Sequence, residues 1–145
     1  MDIFFDTSVL VAAAVRHHPH HSQAASALSD VIGGSYSGFL SVHSIAETYA
    51  VLTRLPVQPA IHPSEALRII EENILAHLRP LSLGAREYRE VLREVAEAGL
   101  TGGVIYDALL LRCARKRNFY RIYTFNVSHF RIVAPHLEAQ ICAPS

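Results

Sequence analysis

The sequence predicts an α/β fold of three layers, with helices on both faces of a mostly parallel central sheet. Three observations carry this expectation. Short apolar runs rich in Ile, Phe and Tyr alternate with longer stretches of helical periodicity along the chain. Every gap between candidate strands is long enough to hold a crossover helix, which is what parallel pairing needs. The first run, Ile3-Phe4-Phe5, ends in an acid, Asp6, followed by the hydroxyl residues Thr7 and Ser8. In open α/β sheets ligands bind outside the carboxyl ends of strands, so an acid there is a functional candidate by position.

Taken in order, residues 2–5 read as a buried strand, and 8–16 as a helix capped by Thr7 or Ser8. His17-His18-Pro19-His20-His21 interrupts it, and Pro19 starts a second helix that runs to Ile32 and ends at Gly33-Gly34. Tyr36–Leu40 is the second strand. Ser41 then caps a helix over 42–54 with Ile45, Tyr49 and Leu52 as its apolar stripe. Pro56 and Pro59 hold a loop open. Pro63 opens a helix whose apolar positions continue through Leu78, with Pro80 as its stop. Arg79–Leu83 is a short strand, and Ser82 begins a helix that turns Tyr88, Leu92, Val95 and Ala96 inward and ends at Gly99. After Gly102-Gly103, a nearly all-apolar helix covers 104–117. Tyr120–Thr124 is a strand, 125–130 the loop at its carboxyl end, and a last strand lies near Gln140–Cys142.

The chain has 145 residues, half of them apolar and 18% charged, a balance suited to one globular domain with a sizeable core. No apolar run is long enough to span a bilayer, and residues 1–15 lack the basic start of a signal peptide. Cys113 and Cys142 are far apart and form no CxxC pair, which points to a reducing, cytoplasmic setting. The net charge is zero with histidines neutral, so no global attraction to nucleic acid is built in. Any electrostatic footprint is local: Arg112, Arg115, Lys116, Arg117 and Arg121 crowd one segment. A basic helix end also complements the helix dipole and aids solubility, which is the reading of these residues on their own.

Asp6, Glu47 and Asp107 are acids embedded in apolar sequence. Acids are seldom buried unless paired or bound to a cation, and carboxylate oxygens suit Mg2+ or Mn2+. Three separately satisfied acids are the alternative. The histidines at 17–21 match no closed zinc site and read as a solvated loop or helix start.

Four segments resemble the motif blocks of PIN-domain ribonucleases, in particular VapC-type toxins of toxin–antitoxin pairs. They are Phe5-Asp6-Thr7-Ser8-Val9-Leu10, Ser44-Ile45-Ala46-Glu47, Tyr106-Asp107-Ala108 and Thr124-Phe125-Asn126-Val127-Ser128-His129-Phe130. The resemblance implies a PIN-like three-layer fold and a Mg2+- or Mn2+-dependent endoribonuclease that cleaves structured RNA, of the tRNA or rRNA class, through a metal-activated water. It implies Asp6, Asp107 and Glu47 as metal ligands and Asn126 as the fourth site position. Thr7, Ser8 and Thr124 become supporting hydroxyls, and His129 stands where some members carry an acid. It also implies an antitoxin partner and a homodimer, and under it Arg112 and Arg115 become candidates to meet RNA phosphates or an acidic partner. An amide at 126 leaves three formal charges rather than four, so one well-held ion is expected, with a second bound weakly. The alternative is a catalytically weak PIN-like module that binds RNA or protein. A response-regulator-like domain fits less well, because the sole lysine, Lys116, lies in a helix.

Overall fold

The computed structural model describes all residues, 1–145. Its strands are β1 (Asp2–Phe5), β2 (Ser37–Ser41), β3 (Leu78–Leu81), β4 (Arg121–Tyr123) and β5 (Ile141–Cys142). Its helices are α1 (Thr7–Ala14), α2 (His21–Ile32), α3 (Val42–Arg54), α4 (Pro63–Ile69), α5 (Ala85–Glu97), α6 (Val104–Ala114) and α7 (Val127–Val133). The strands form one sheet in the order β3-β2-β1-β4-β5, and every neighbouring pair is parallel.

Side-chain alternation along β1 explains the unbroken apolar run at its start. Ile3 and Phe5 face one helical layer and pack with Val9, Leu10, Ala24, Leu28 and Leu40. Phe4 faces the other and packs with Phe39, Leu110, Ile122, Phe130 and Ile141. A strand covered on both faces has no solvent side on which to place a polar residue. At the centre of the sheet, β1 is held by β2 on one edge and β4 on the other, so its carboxyl end is the best-anchored point for a functional side chain.

Several local expectations change. Residues 63–78 are not one helix: α4 ends at Ile69, a wider helical turn spans Ile70–Leu75, and Leu78 belongs to β3. The wider turn lets Ile70 and Ile74 both enter the core while Leu67 stays 51% exposed. Pro80 stops no helix; it lies within β3, an edge strand where a missing N–H is tolerated. The helix expected from Ser82 begins at Ala85, and Tyr88, Leu92 and Ala96 face solvent with Val91 as the buried residue. Its inward side is polar: Glu87 pairs with Lys116, and Glu90 and Glu94 pair with Arg112, docking α5 onto α6 through charge. Tyr49 is also exposed; of the expected stripe on α3, Leu52 is buried and Ile45 packs partly against the core, and Ser44 and Thr48 are the other residues turned inward. The loop expected over 125–130 is helical from Val127 onward, as α7, with Phe130 closing the second core cluster. The N-cap of α1 is Asp6 rather than Thr7 or Ser8, and α2 starts at His21. The cap of α3 and the start of α4 are as expected: Ser41 Oγ accepts from the His43 N–H, and Pro63 is the first residue of α4, which His62 caps.

Candidate active site

Asp6 lies at the junction of β1 and α1. Its N–H donates to the Tyr123 carbonyl (2.9 Å), extending the β1–β4 ladder, and its own carbonyl accepts from the Val9 and Leu10 N–H groups. With both backbone ends fixed, the side chain has little freedom. Its Oδ2 accepts from the hydroxyls of Ser8 (2.7 Å) and Thr124 (2.9 Å). Those hydroxyls are held in turn: Thr124 Oγ1 accepts from the Asn126 N–H (3.0 Å), and Ser8 Oγ from the Phe125 N–H (3.1 Å). Asp6 is 5% exposed and forms no ion pair with any Lys, Arg or His. Burial pushes its carboxyl above the usual value, against the pull of the two hydroxyls.

The cleft in front of Asp6 has a volume of about 490 Å³, and Thr7, Ser8, Glu47, Asp107 and Asn126 line it with Asp6. Thus the three acids drawn from distant segments do share one opening, and Asn126 is on its wall. Glu47, from α3, stands 3.3 Å from His43 Nε2 one turn earlier. Asp107 comes from the first turn of α6, and its Oδ2 is 2.8 Å from His129 Nε2. Burial raises the Asp107 carboxyl, His129 opposes that, and the nearby negative charge of Glu47 adds to it. Thr7 supports the site indirectly: its hydroxyl donates to Ser44 Oγ (2.9 Å), tying α1 to α3 and so fixing Glu47 relative to Asp6.

The donor chemistry fits a hard divalent cation. All three acids offer oxygen, and Asp6 is a buried acid without a cationic partner. As the side chains stand, no three of the His, Cys, Asp or Glu residues are close enough together to hold one ion between them. Mg2+ keeps several waters and takes one or two carboxylates, so a site here would rest on one or two of the acids with water completing it.

The basic segment stands apart from the cleft: Arg112 pairs with Glu90 and Glu94, and neither it nor Arg115 is among the lining residues. The histidine segment is more than a solvated turn, since His18 and His20 form part of the cleft wall together with Phe125. Sequence spacing gave no sign of this, because it depends on how residues 15–21 fold back over the end of β1. Ser44 and His43, which brace Thr7 and Glu47, were also passed over; their positions one turn from Glu47 on α3 were the available signal.

A family model described as PIN domain matches residues 3–134. The chain belongs to the PIN-domain family. Within it, this PIN domain groups with VapC-type proteins. It is 36% identical over 109 residues to Ribonuclease VapC27 of Mycobacterium tuberculosis, covering 75% of this chain and 74% of the relative. It is 37% identical over 105 residues to Ribonuclease VapC40 of the same species, covering 72% of each. Among solved structures, VapC20 of M. tuberculosis, described as a sarcin–ricin loop cleaving toxin, superposes with a TM-score of 0.65 at 19% identity, covering 88% of this chain and 92% of that one. VapBC2 of Rickettsia felis, bound to a promoter DNA fragment, superposes with a TM-score of 0.66 at 20% identity over the full length of both chains. At such identities the structural likeness speaks for the fold, and the three-layer α/β/α PIN architecture agrees with it.

Proposed function

We propose that this PIN domain is a Mg2+- or Mn2+-dependent endoribonuclease, the toxin of a type II toxin–antitoxin pair, which cleaves structured RNA of the tRNA or rRNA class in the cytoplasm. The observation that carries the reading is the buried carboxyl of Asp6, held by two hydroxyls, lacking a cationic partner and opening on a cleft shared with Glu47 and Asp107. Relatives named as ribonucleases support the activity, and a neighbour solved as a VapBC assembly supports a protein antitoxin as partner. The exposed Tyr88 and Leu92 on α5 support a homodimer.

In this reading Asp6 and Asp107 hold the ion and Glu47 assists. A bound Mg2+ or Mn2+ would supply Lewis acidity toward the scissile phosphate and acidify a coordinated water. Ser8 and Thr124 hold the Asp6 carboxylate in place by donating to Oδ2, and Asp6 would be among the residues that hold the ion. Glu47, on the wall of the same cleft, would help hold the ion or orient a water there. Asn126, uncharged, offers an amide oxygen to water rather than a strong ligand. No side-chain nucleophile is required.

The test is cleavage of purified tRNA and rRNA by the wild-type protein and by Asp6→Asn, with Mg2+ and with chelator. Cleavage that needs the divalent ion and disappears in Asp6→Asn is expected. Full activity in chelator, or in Asp6→Asn, would refute the scheme. Folded wild-type protein that binds these RNAs yet cleaves none of them would favour the binding-module alternative.

A further inference from the structure

We propose that His18 and His20, laid against Phe125 on the wall of the carboxylate cleft, form a subsite that stacks an unpaired nucleobase of the substrate RNA. This deepens the nuclease reading and rests on it. The His20 ring lies 4.4 Å from the Phe125 ring, centroid to centroid, at 18°. The His18 ring lies 6.4 Å from it at 27°, and the two imidazoles are 5.8 Å apart. Rings on opposite faces of Phe125 would be farther from each other than either is from Phe125, so both imidazoles lie on the same side of it. The result is a short aromatic ledge rather than a closed column. Phe125 is its base, and His20 is exposed at its outer side.

The ledge is rigid and is registered to the acid. His18 Nδ1 accepts from the His20 N–H (3.0 Å), which sets the angle between the two residues. His21 Nδ1 is 2.9 Å from the Ala12 carbonyl, and the His18 and His21 N–H groups donate to Val15 and His18 carbonyls. These contacts already hold the turn, so the stack is not needed to keep it folded. Phe125 is linked to Asp6 through one residue: its N–H donates to Ser8 Oγ, and Ser8 donates to Asp6 Oδ2. A base resting on the ledge is thereby held at a fixed distance from the carboxylate. Burial, reinforced by the charges of His20 and His21, also lowers the His18 pKa, which favours the neutral, stacking form of that ring.

RNA is read mainly at unpaired bases splayed onto aromatic side chains, histidine included, and such stacking tolerates every base. The ledge therefore selects an unpaired nucleotide next to the scissile phosphate without specifying its identity. The cleft offers no Arg or Lys among its lining residues, so stacking substitutes for phosphate pairing in holding the strand.

The experiment uses the full chain with Mg2+ and two probes, adenosine 5′-monophosphate and ribose 5-phosphate, followed through the imidazole proton resonances in NMR. Adenosine 5′-monophosphate is expected to move the His18 and His20 resonances upfield, and ribose 5-phosphate to leave them in place. His20→Ala should weaken adenosine 5′-monophosphate binding about 5- to 150-fold, the span of base stacking by alanine substitution. His20→Tyr, which keeps an aromatic face, should restore it. Equal shifts with both probes, or unchanged affinity in His20→Ala, would overturn the proposal. The outcome is separable from the nuclease reading. Chelator-sensitive RNA cleavage without base stacking removes the ledge alone, whereas base stacking by a protein that cleaves no RNA removes the nuclease assignment alone.

Discussion

Thr124→Val isolates the hydroxyl that connects the two ends of the chain at the site. Thr124 is fully buried, donates to Asp6 Oδ2 at 2.9 Å and accepts from the Asn126 N–H at 3.0 Å. Valine keeps its shape and removes both bonds. A hydrogen bond to an ionised acceptor contributes about 1.5–3 kcal/mol and an ordinary one about 0.5–1.5 kcal/mol, so the loss is about 2–4.5 kcal/mol. For a domain of this size, between the small and medium classes, 1 kcal/mol moves Tm by about 4 °C, which gives a fall of roughly 8–18 °C. Thr124→Ser is the control: it keeps the hydroxyl and deletes one buried methyl, at about 1 kcal/mol or roughly 4 °C. The assay is thermal unfolding followed by circular dichroism, in parallel with cleavage rate. If Thr124→Val is no less stable than Thr124→Ser, the hydroxyl does not hold Asp6 and the site geometry derived from it is wrong.

Asp6→Asn should behave in the opposite sense in metal-free buffer. Burial raises the folded carboxyl above its ordinary value. The folded state therefore holds its proton more tightly than the unfolded chain, and wild-type stability falls as pH rises from about 3.8 through the folded value. The amide variant should lack that fall; parallel pH–Tm curves for the two proteins would count against it. Adding Mg2+ at a hundred times its Kd should stabilise the wild type by about 2.7 kcal/mol, roughly 10 °C in Tm by the same conversion, and leave Asp6→Asn unmoved. An equal gain in both would place the ion elsewhere. In Gly38→Ala the new Cβ would lie 2.2 Å from Leu78 Cδ2 and 2.9 Å from Val31 Cγ1. Both neighbours are buried, so the overpacking should lower stability by about 1–3 kcal/mol in denaturant titration; an unchanged midpoint would contradict the packing of β2 against α2. Arg112→Gln should loosen α5 from α6, seen as faster amide exchange in α5, while RNA affinity stays as in the wild type. A selective loss of RNA affinity would reinstate Arg112 as a phosphate contact.

Much of this architecture was readable from local pattern. The apolar run of β1, the alternation of strand and helix, and the Ser41 cap each depend on neighbours within a few residues, and each is present. The gathering of Asp6, Glu47 and Asp107 at one cleft was readable only through the resemblance, because spacing along a chain does not reveal which strand ends lie side by side. Two failures have a common cause. The stripes at Tyr88-Leu92 and at Tyr49 had helical periodicity, but periodicity does not say which side meets the core. On α5 the ion pairs to Arg112 and Lys116 decided the orientation. The helix α7 was missed because it is only seven residues long and Asn126 provides no side-chain cap. The histidine ledge was missed because histidines read as polar in sequence, whereas their rings here act as flat aromatic surfaces against Phe125.

The sheet order has a temporal consequence during synthesis. With β1 between β2 and β4, the first strand made receives one of its two partners only after residue 121 has been translated. Asp107 and the Thr124 hydroxyl arrive in the same late stretch. A ribosome-bound fragment that ends short of it carries Asp6 and Glu47 but neither the third acid nor the second clamp on the first. The cleft is thus incomplete until nearly all of the chain has emerged, and any chemistry that needs all three acids must wait for it.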